Sequence, residues 1–166
     1  MGKTSLTVNL RIEGVRETLA AFKELPADAN NELRDASQKL AKAIAAKAVV
    51  DAHAHGGPQG KLLAPTIKAA RDRVPMVTVG GTRKVGHTRA PAYGLLFGSV
   101  FGYFGRSGWY AAPRYHGGRG RQYRPHRGQD AYWFFPLVES EAPAISSAWN
   151  HAADQIVRRF SAGGDL

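Results

Sequence analysis

From Ala27 to Ala52 the chain reads as one long helix, and its neighbours must fold around it. Leu33, Leu40, Ile44 and Ala48 mark one face, while Lys39, Lys42 and Lys47 lie elsewhere. The alanines Ala36, Ala41, Ala43, Ala45, Ala46 and Ala48 raise helix propensity and allow close packing. Asp28 or Asn30 lies near its start, and Gly56-Gly57-Pro58 is expected to terminate it.

The flanking segments have other periods. Leu6, Val8, Leu10 and Ile12 alternate with Thr7, Asn9 and Arg11, the period-two mark of a half-buried strand. Gly14 breaks it, and Val15, Leu19 and Phe22 recur at helical spacing until Leu25-Pro26. Residues 61–71 suit another short helix, and Val77 to Val79 a strand ending at Gly80-Gly81. Glycines at 94, 98, 102 and 105 weigh against a long helix, so 92–105 is expected to be extended. Ala131 to Phe135 reads as a compact aromatic strand halted by Pro136, buried on both faces. The last helix is expected to begin near Pro143, with Ile145, Trp149, Ala152, Ile156 and Phe160 on its apolar face. Together these imply one α+β domain over 1–166, a small antiparallel sheet packed against two or three helices, with a long Arg/Gly-rich loop at 106–128.

Charge is unevenly placed along the 166 residues. Lys and Arg number 23 against 13 Asp and Glu, a net charge of +10. Between Asp72 and Asp130 there is no acidic residue, yet the interval holds ten basic ones, nine of them Arg. Removing those ten leaves 13 basic against 13 acidic residues, a neutral remainder. An anionic partner is implied, and arginine favours planar, bidentate contacts with it. Cysteine is absent, which excludes disulfide scaffolds, Cys-type zinc sites and thiol nucleophiles. No run of 18 apolar residues exists, and the first residues lack the apolar stretch of a signal peptide. A soluble intracellular protein is the expectation.

Candidate chemistry is sparse. His53-Ala54-His55 has the His-x-His spacing of metal-dependent hydrolases, but two such residues share a face only in extended chain, and these lie at a helix end. His87, His116 and His126 stand in basic loops without a carboxylate neighbour. Gly2-Lys3-Thr4 lacks the strand and the earlier glycine of a phosphate-binding loop. Gly98-Ser99-Val100-Phe101-Gly102 misses the nucleophile-elbow spacing by one residue. No catalytic residue, metal site or cofactor is expected.

The arginine segment is the strongest local signal. Arg106, Arg114, Arg119, Arg121, Arg124 and Arg127 are the candidate contacts to an anion or partner, with Tyr115 and Tyr123 available to stack on bases. A flexible loop pairing with acidic protein surfaces fits the same residues. No motif for reading bases accompanies them. Trp109, Tyr110, Tyr132, Trp133, Phe134 and Phe135 flank the segment; they either close its base by core packing or, as Trp109, Tyr110, Tyr132, Trp133 and Phe134, anchor a neighbouring subunit.

Four pieces in order carry a resemblance: the N-terminal strand leading to the Gly14–Ala20 helix start; the Ala/Lys-rich helix followed by Gly56-Gly57-Pro58-Gln59-Gly60-Lys61-Leu62; Leu96-Phe97-Gly98-Ser99-Val100-Phe101-Gly102; and Arg121 to Gly128 with Tyr132-Trp133-Phe134-Phe135-Pro136 before the last helix. In these the chain resembles the neck and tail-completion proteins of long-tailed double-stranded DNA phages, particularly those of actinobacterial hosts. The usual form has an acidic residue where Val100 stands. The resemblance implies a non-catalytic virion subunit at the head-to-tail junction or tail end, a tail terminator or connector protein made in the host cytoplasm. It further implies a homo-oligomeric, hexameric ring contacting head-completion, connector and tail-tube proteins, and packaged DNA non-specifically. A free-standing nucleic-acid-binding protein using 106–128 is the alternative.

Overall fold

The computed structural model describes residues 5–102 and 131–163. In chain order these form β1 (Ser5–Asn9), α1 (Val15–Ala21), α2 (Ala27–His55), α3 (Gly57–Leu63), a 3-10 turn (Ala64–Thr66), β2 (Lys68–Ala70), β3 (Met76–Gly80), β4 (Lys84–Val85), β5 (Ala90–Pro91), α4 (Ala92–Phe101) and α5 (Phe135–Ala162). The fold class is α+β, as the mixed periodicities predict. A small antiparallel sheet has the order β1-β3-β2, and β4 pairs antiparallel with β5, Lys84 opposite Pro91 and Val85 opposite Ala90.

The described residues divide into two compact units, each assembled from separated stretches of chain. The first takes 5–7, 46–68, 78–102 and 131–137; the second takes 8–45, 69–77 and 138–163. Helices α2 and α5 therefore each contribute residues to both.

In the second unit, α5 buries Val138, Ile145, Trp149, Ala153 and Ile156, a stripe at helical spacing. The α2 residues Ala29, Leu33, Ser37, Ala41 and Ile44 are buried as well, and Leu40 is only half-buried. The stripe along α2 therefore runs through the small Ser37 and Ala41 rather than through Leu40. The Trp149 indole N–H is placed 2.9 Å from both Ser37 Oγ and the Arg73 carbonyl, and Ser37 Oγ donates to that carbonyl at 2.8 Å. Two buried polar side chains are thereby satisfied together. The turn before α1 is held by α5, with the Glu13 N–H donating to Ser146 Oγ and Asn150 Nδ2 donating to the Glu13 carbonyl, both at 3.1 Å.

Gly14 at this turn has φ of 70°, and a Cβ there would touch nothing within 4 Å. Any cost of Gly14→Ala is thus conformational. It should destabilise the protein by about 1 kcal/mol in urea denaturation.

Several boundaries differ from the sequence expectation, each for a local reason. Gly56-Gly57-Pro58 ends α2 but also opens α3, with Pro58 in the first turn where its missing N–H is no loss. The helix expected over 61–71 stops at Leu63, because pairing with β3 draws 68–70 into a strand; Thr78 Oγ1 donates to the Lys68 carbonyl and the Gly80 N–H to Thr66 Oγ1. Residues 92–101 are helical rather than extended. Gly94 and Gly98 cost about 1 kcal/mol each in a helix, whereas burying Leu96 and Val100 contributes about 1.5 to 3 kcal/mol each, so burial prevails. Residues 131–134 form a turn instead of a strand, with φ of 41° at Ala131 and 69° at Phe134, and α5 starts at Phe135 rather than near Pro143. Pro136 takes the first-turn role, and Pro143 lies inside the helix.

Candidate functional site

Within the first unit, the base of the arginine segment is built from a close helix contact and a strained turn. Gly56 and Gly60 lie against the last turns of α2, where a Cβ on either would overlap the Ala52 carbonyl oxygen. The Gly56 N–H donates to that oxygen, and the Gly60 N–H to the Gly56 carbonyl, both at 3.0 Å. The Gly56 carbonyl also accepts from Ser99 Oγ of α4 at 2.8 Å. Ser99 Oγ in turn accepts the Trp133 indole N–H at 2.9 Å, so one buried hydroxyl links α3, α4 and the 131–134 turn.

The turn is fixed from a second side by Asp51 of α2. One carboxylate oxygen accepts the Phe134 N–H at 3.0 Å, and the other lies 2.7 Å from Nδ1 of His55, one helical turn onward. Left-handed backbone costs a residue other than glycine about 1 to 2 kcal/mol, so the Phe134 conformation needs such a partner. Rings complete the cluster: Phe101 stacks on Phe135 at 5.6 Å between centroids, and Phe134 meets both Trp133 and Phe135 edge-on at 5.9 and 5.7 Å.

This arrangement brings together the described residues that flank 103–130. The Tyr132 N–H donates to the Val100 carbonyl at 2.6 Å, so the chain leaves for residues 103–130 and returns from them at one place. Arg106, Arg114, Arg119, Arg121, Arg124 and Arg127, with Trp109, Tyr110, His116 and His126, lie outside the described residues. Tyr132 is half-buried, while Trp133 and Phe134 have no exposed surface. These last two are therefore core of the first unit, which corrects their assignment as anchors for another subunit. Burial was legible in the apolar run, and the turn that buries both of them inside their own chain was not.

No family model, curated protein or solved structure matches this chain.

The division into units also redraws the charge. Described residues of the first unit carry Lys47, Lys61, Lys68, Arg83, Lys84 and Arg89 against the single acid Asp51. Those of the second carry ten basic and ten acidic residues. Arg73 opens the acid-free stretch in sequence yet belongs to the neutral unit, where its carbonyl serves Trp149 and Ser37.

Ser99 and Asp51 are the residues sequence reasoning missed. Ser99 stood out only as a failed nucleophile motif, and its true partner, Trp133, is 34 residues away. Ser99→Ala should leave the Trp133 N–H and the Gly56 carbonyl without this partner. The expected cost is about 2 to 4 kcal/mol in urea denaturation.

Proposed function

We propose that the chain is a structural, non-catalytic subunit of a phage virion, placed at the head-to-tail junction or the tail end and assembling as a ring. The observation that supports this most is the concentration of charge in one compact unit, at whose base the arginine segment is tied. A ring of six such chains would gather about +60 from the +10 of each. Repulsion on that scale calls for an anionic wall, which packaged DNA or acidic neighbouring proteins supply. The neutral unit leaves a surface that can meet its own copies without this penalty.

The hydrogen bonds of the most chemical-looking groups favour a structural reading as well. Ser99 uses its hydroxyl as donor and acceptor inside the core, and Asp51 uses both oxygens to hold His55 and the 131–134 turn. A nucleophile or general base needs those valences for its substrate.

Deletion of the gene from the phage that encodes it tests the proposal. Filled heads and separate, complete tails in electron micrographs are the expected result. Normal infectious particles would contradict it and favour the second reading, a free-standing DNA-binding protein, which the same concentrated charge supports.

A further inference from the structure

We infer that the β4–β5 ribbon, with the adjoining α3, is a surface that grips the sugar–phosphate backbone of duplex DNA without reading its sequence. This deepens the proposed function and rests on it for the DNA that a virion interior supplies. The residues are Lys61, Arg83, Lys84 and Arg89, none of them in the 103–130 segment.

The ribbon is a rigid mount. The Arg89 N–H closes its turn on the Gly86 carbonyl at 3.2 Å, and Gly86 (φ of 71°) lies so close to α3 that an added Cβ would be 3.1 Å from Leu62 Cδ1. At its other end the Ala92 and Tyr93 N–H groups donate to the Arg83 and Gly81 carbonyls at 2.9 and 3.0 Å, tying the ribbon to the start of α4. Arg83 donates one guanidinium N–H to the Pro65 carbonyl at 3.2 Å, which orients its remaining donors. Lys61, Arg83, Lys84, His87 and Arg89 are all exposed. Asp51, the one acid among the unit's described residues, already holds the Phe134 N–H and His55. The four cations therefore have no anion among the described residues of their own unit to neutralise them.

The surroundings favour phosphate over protein. From Thr82 to Arg89 the exposed positions are Thr, Arg, Lys, Gly, His, Thr and Arg, and Val85 is buried; the exposed large apolar neighbours are Leu62 of α3 and Tyr93 of α4, at the borders of the ribbon. Protein interfaces want an apolar centre and are depleted in lysine, whereas Lys, Arg, Thr and backbone N–H groups are the usual contacts to phosphate oxygens. An arginine guanidinium can also pair with a guanine edge, so equal binding of unrelated duplexes is the outcome that distinguishes backbone contact from base reading.

The test uses the full-length chain and a labelled duplex of about 20 base pairs, followed by fluorescence anisotropy from about 50 to 200 mM NaCl. The triple variant Arg83→Gln, Lys84→Gln, Arg89→Gln should flatten the slope of log affinity against log salt by about 3, since each phosphate no longer neutralised removes about 0.9. Lys61→Gln should remove about 1, and two unrelated duplex sequences should bind equally. Lys39→Gln with Lys42→Gln, on the neutral unit, should change nothing. An unchanged slope in the triple variant, an equal loss in the Lys39/Lys42 control, or polyglutamate competing as well as DNA would each overturn the inference. A thermal melt confirms that the variant is folded, and Lys61→Gln keeps the test decisive if it is not. Light scattering on the same samples separates the two proposals. A folded triple variant that still forms the ring but whose slope has fallen by about 3 supports both, and a permanent monomer whose DNA binding follows the ribbon supports only this one.

Discussion

Gly60→Ala should destabilise the protein by about 3 kcal/mol, although the substitution lies inside a helix. Helix propensity alone argues the opposite, since alanine in place of glycine there is worth about 0.5 to 1 kcal/mol of stabilisation. The sign is set by what the methyl group would meet. Its carbon would overlap the Ala52 carbonyl oxygen and lie 3.2 Å from the Ala52 carbonyl carbon, both backbone atoms that cannot rotate away. Relief requires α3 to withdraw from α2, which pulls on the Gly56 carbonyl and so on the Ser99–Trp133 link. Gly56→Ala meets the same oxygen and should behave alike. Gly163→Ala is the control, because the nearest atom is 3.5 Å away, an ordinary contact. Urea midpoints for the three variants measure the difference; a neutral or stabilised Gly60→Ala would mean the close approach of α3 is wrong.

Trp149→Ala should cost about 3 to 5 kcal/mol, the usual range for emptying a buried indole site. Trp149 has no exposed surface and, from the α5 stripe, reaches Ser37 Oγ and the Arg73 carbonyl with its indole N–H. Trp149→Phe separates packing from hydrogen bonding. It keeps most of the ring volume and removes the N–H, while Ser37 Oγ still donates to the Arg73 carbonyl. About 1 to 3 kcal/mol is expected for it, clearly less than for alanine. Equal losses in the two variants would show that the indole N–H, not the ring, carries the effect.

How much of this was legible in the sequence depended on whether the signal was local. The α2 stripe and the β1 alternation follow from residues three, four or two apart, and both elements form near where the pattern puts them. α5 forms too, but Pro143 drew its expected start eight residues too far along the chain, because a proline is more often first-turn than interior. The 92–101 helix was hidden by its own glycines; the burial that outweighs them comes from elements distant in sequence. The same holds for the 131–134 turn, whose left-handed Phe134 depends on Asp51, 83 residues earlier. At the candidate site, the charge was plain in the sequence, and its limits were not. Only the folded units show that Arg73 stands with the neutral half while Lys47, Lys61 and Lys68 join the basic one.

The proposed ring is tested most directly by the mass of the assembled species. Multi-angle light scattering of the purified chain, alone and mixed with isolated connectors and tail ends, should give either a closed ring at a whole multiple of 17.9 kDa unaided, or a connector or tail end heavier by such a multiple on mixing. A species that stays at 17.9 kDa in every mixture would contradict the account.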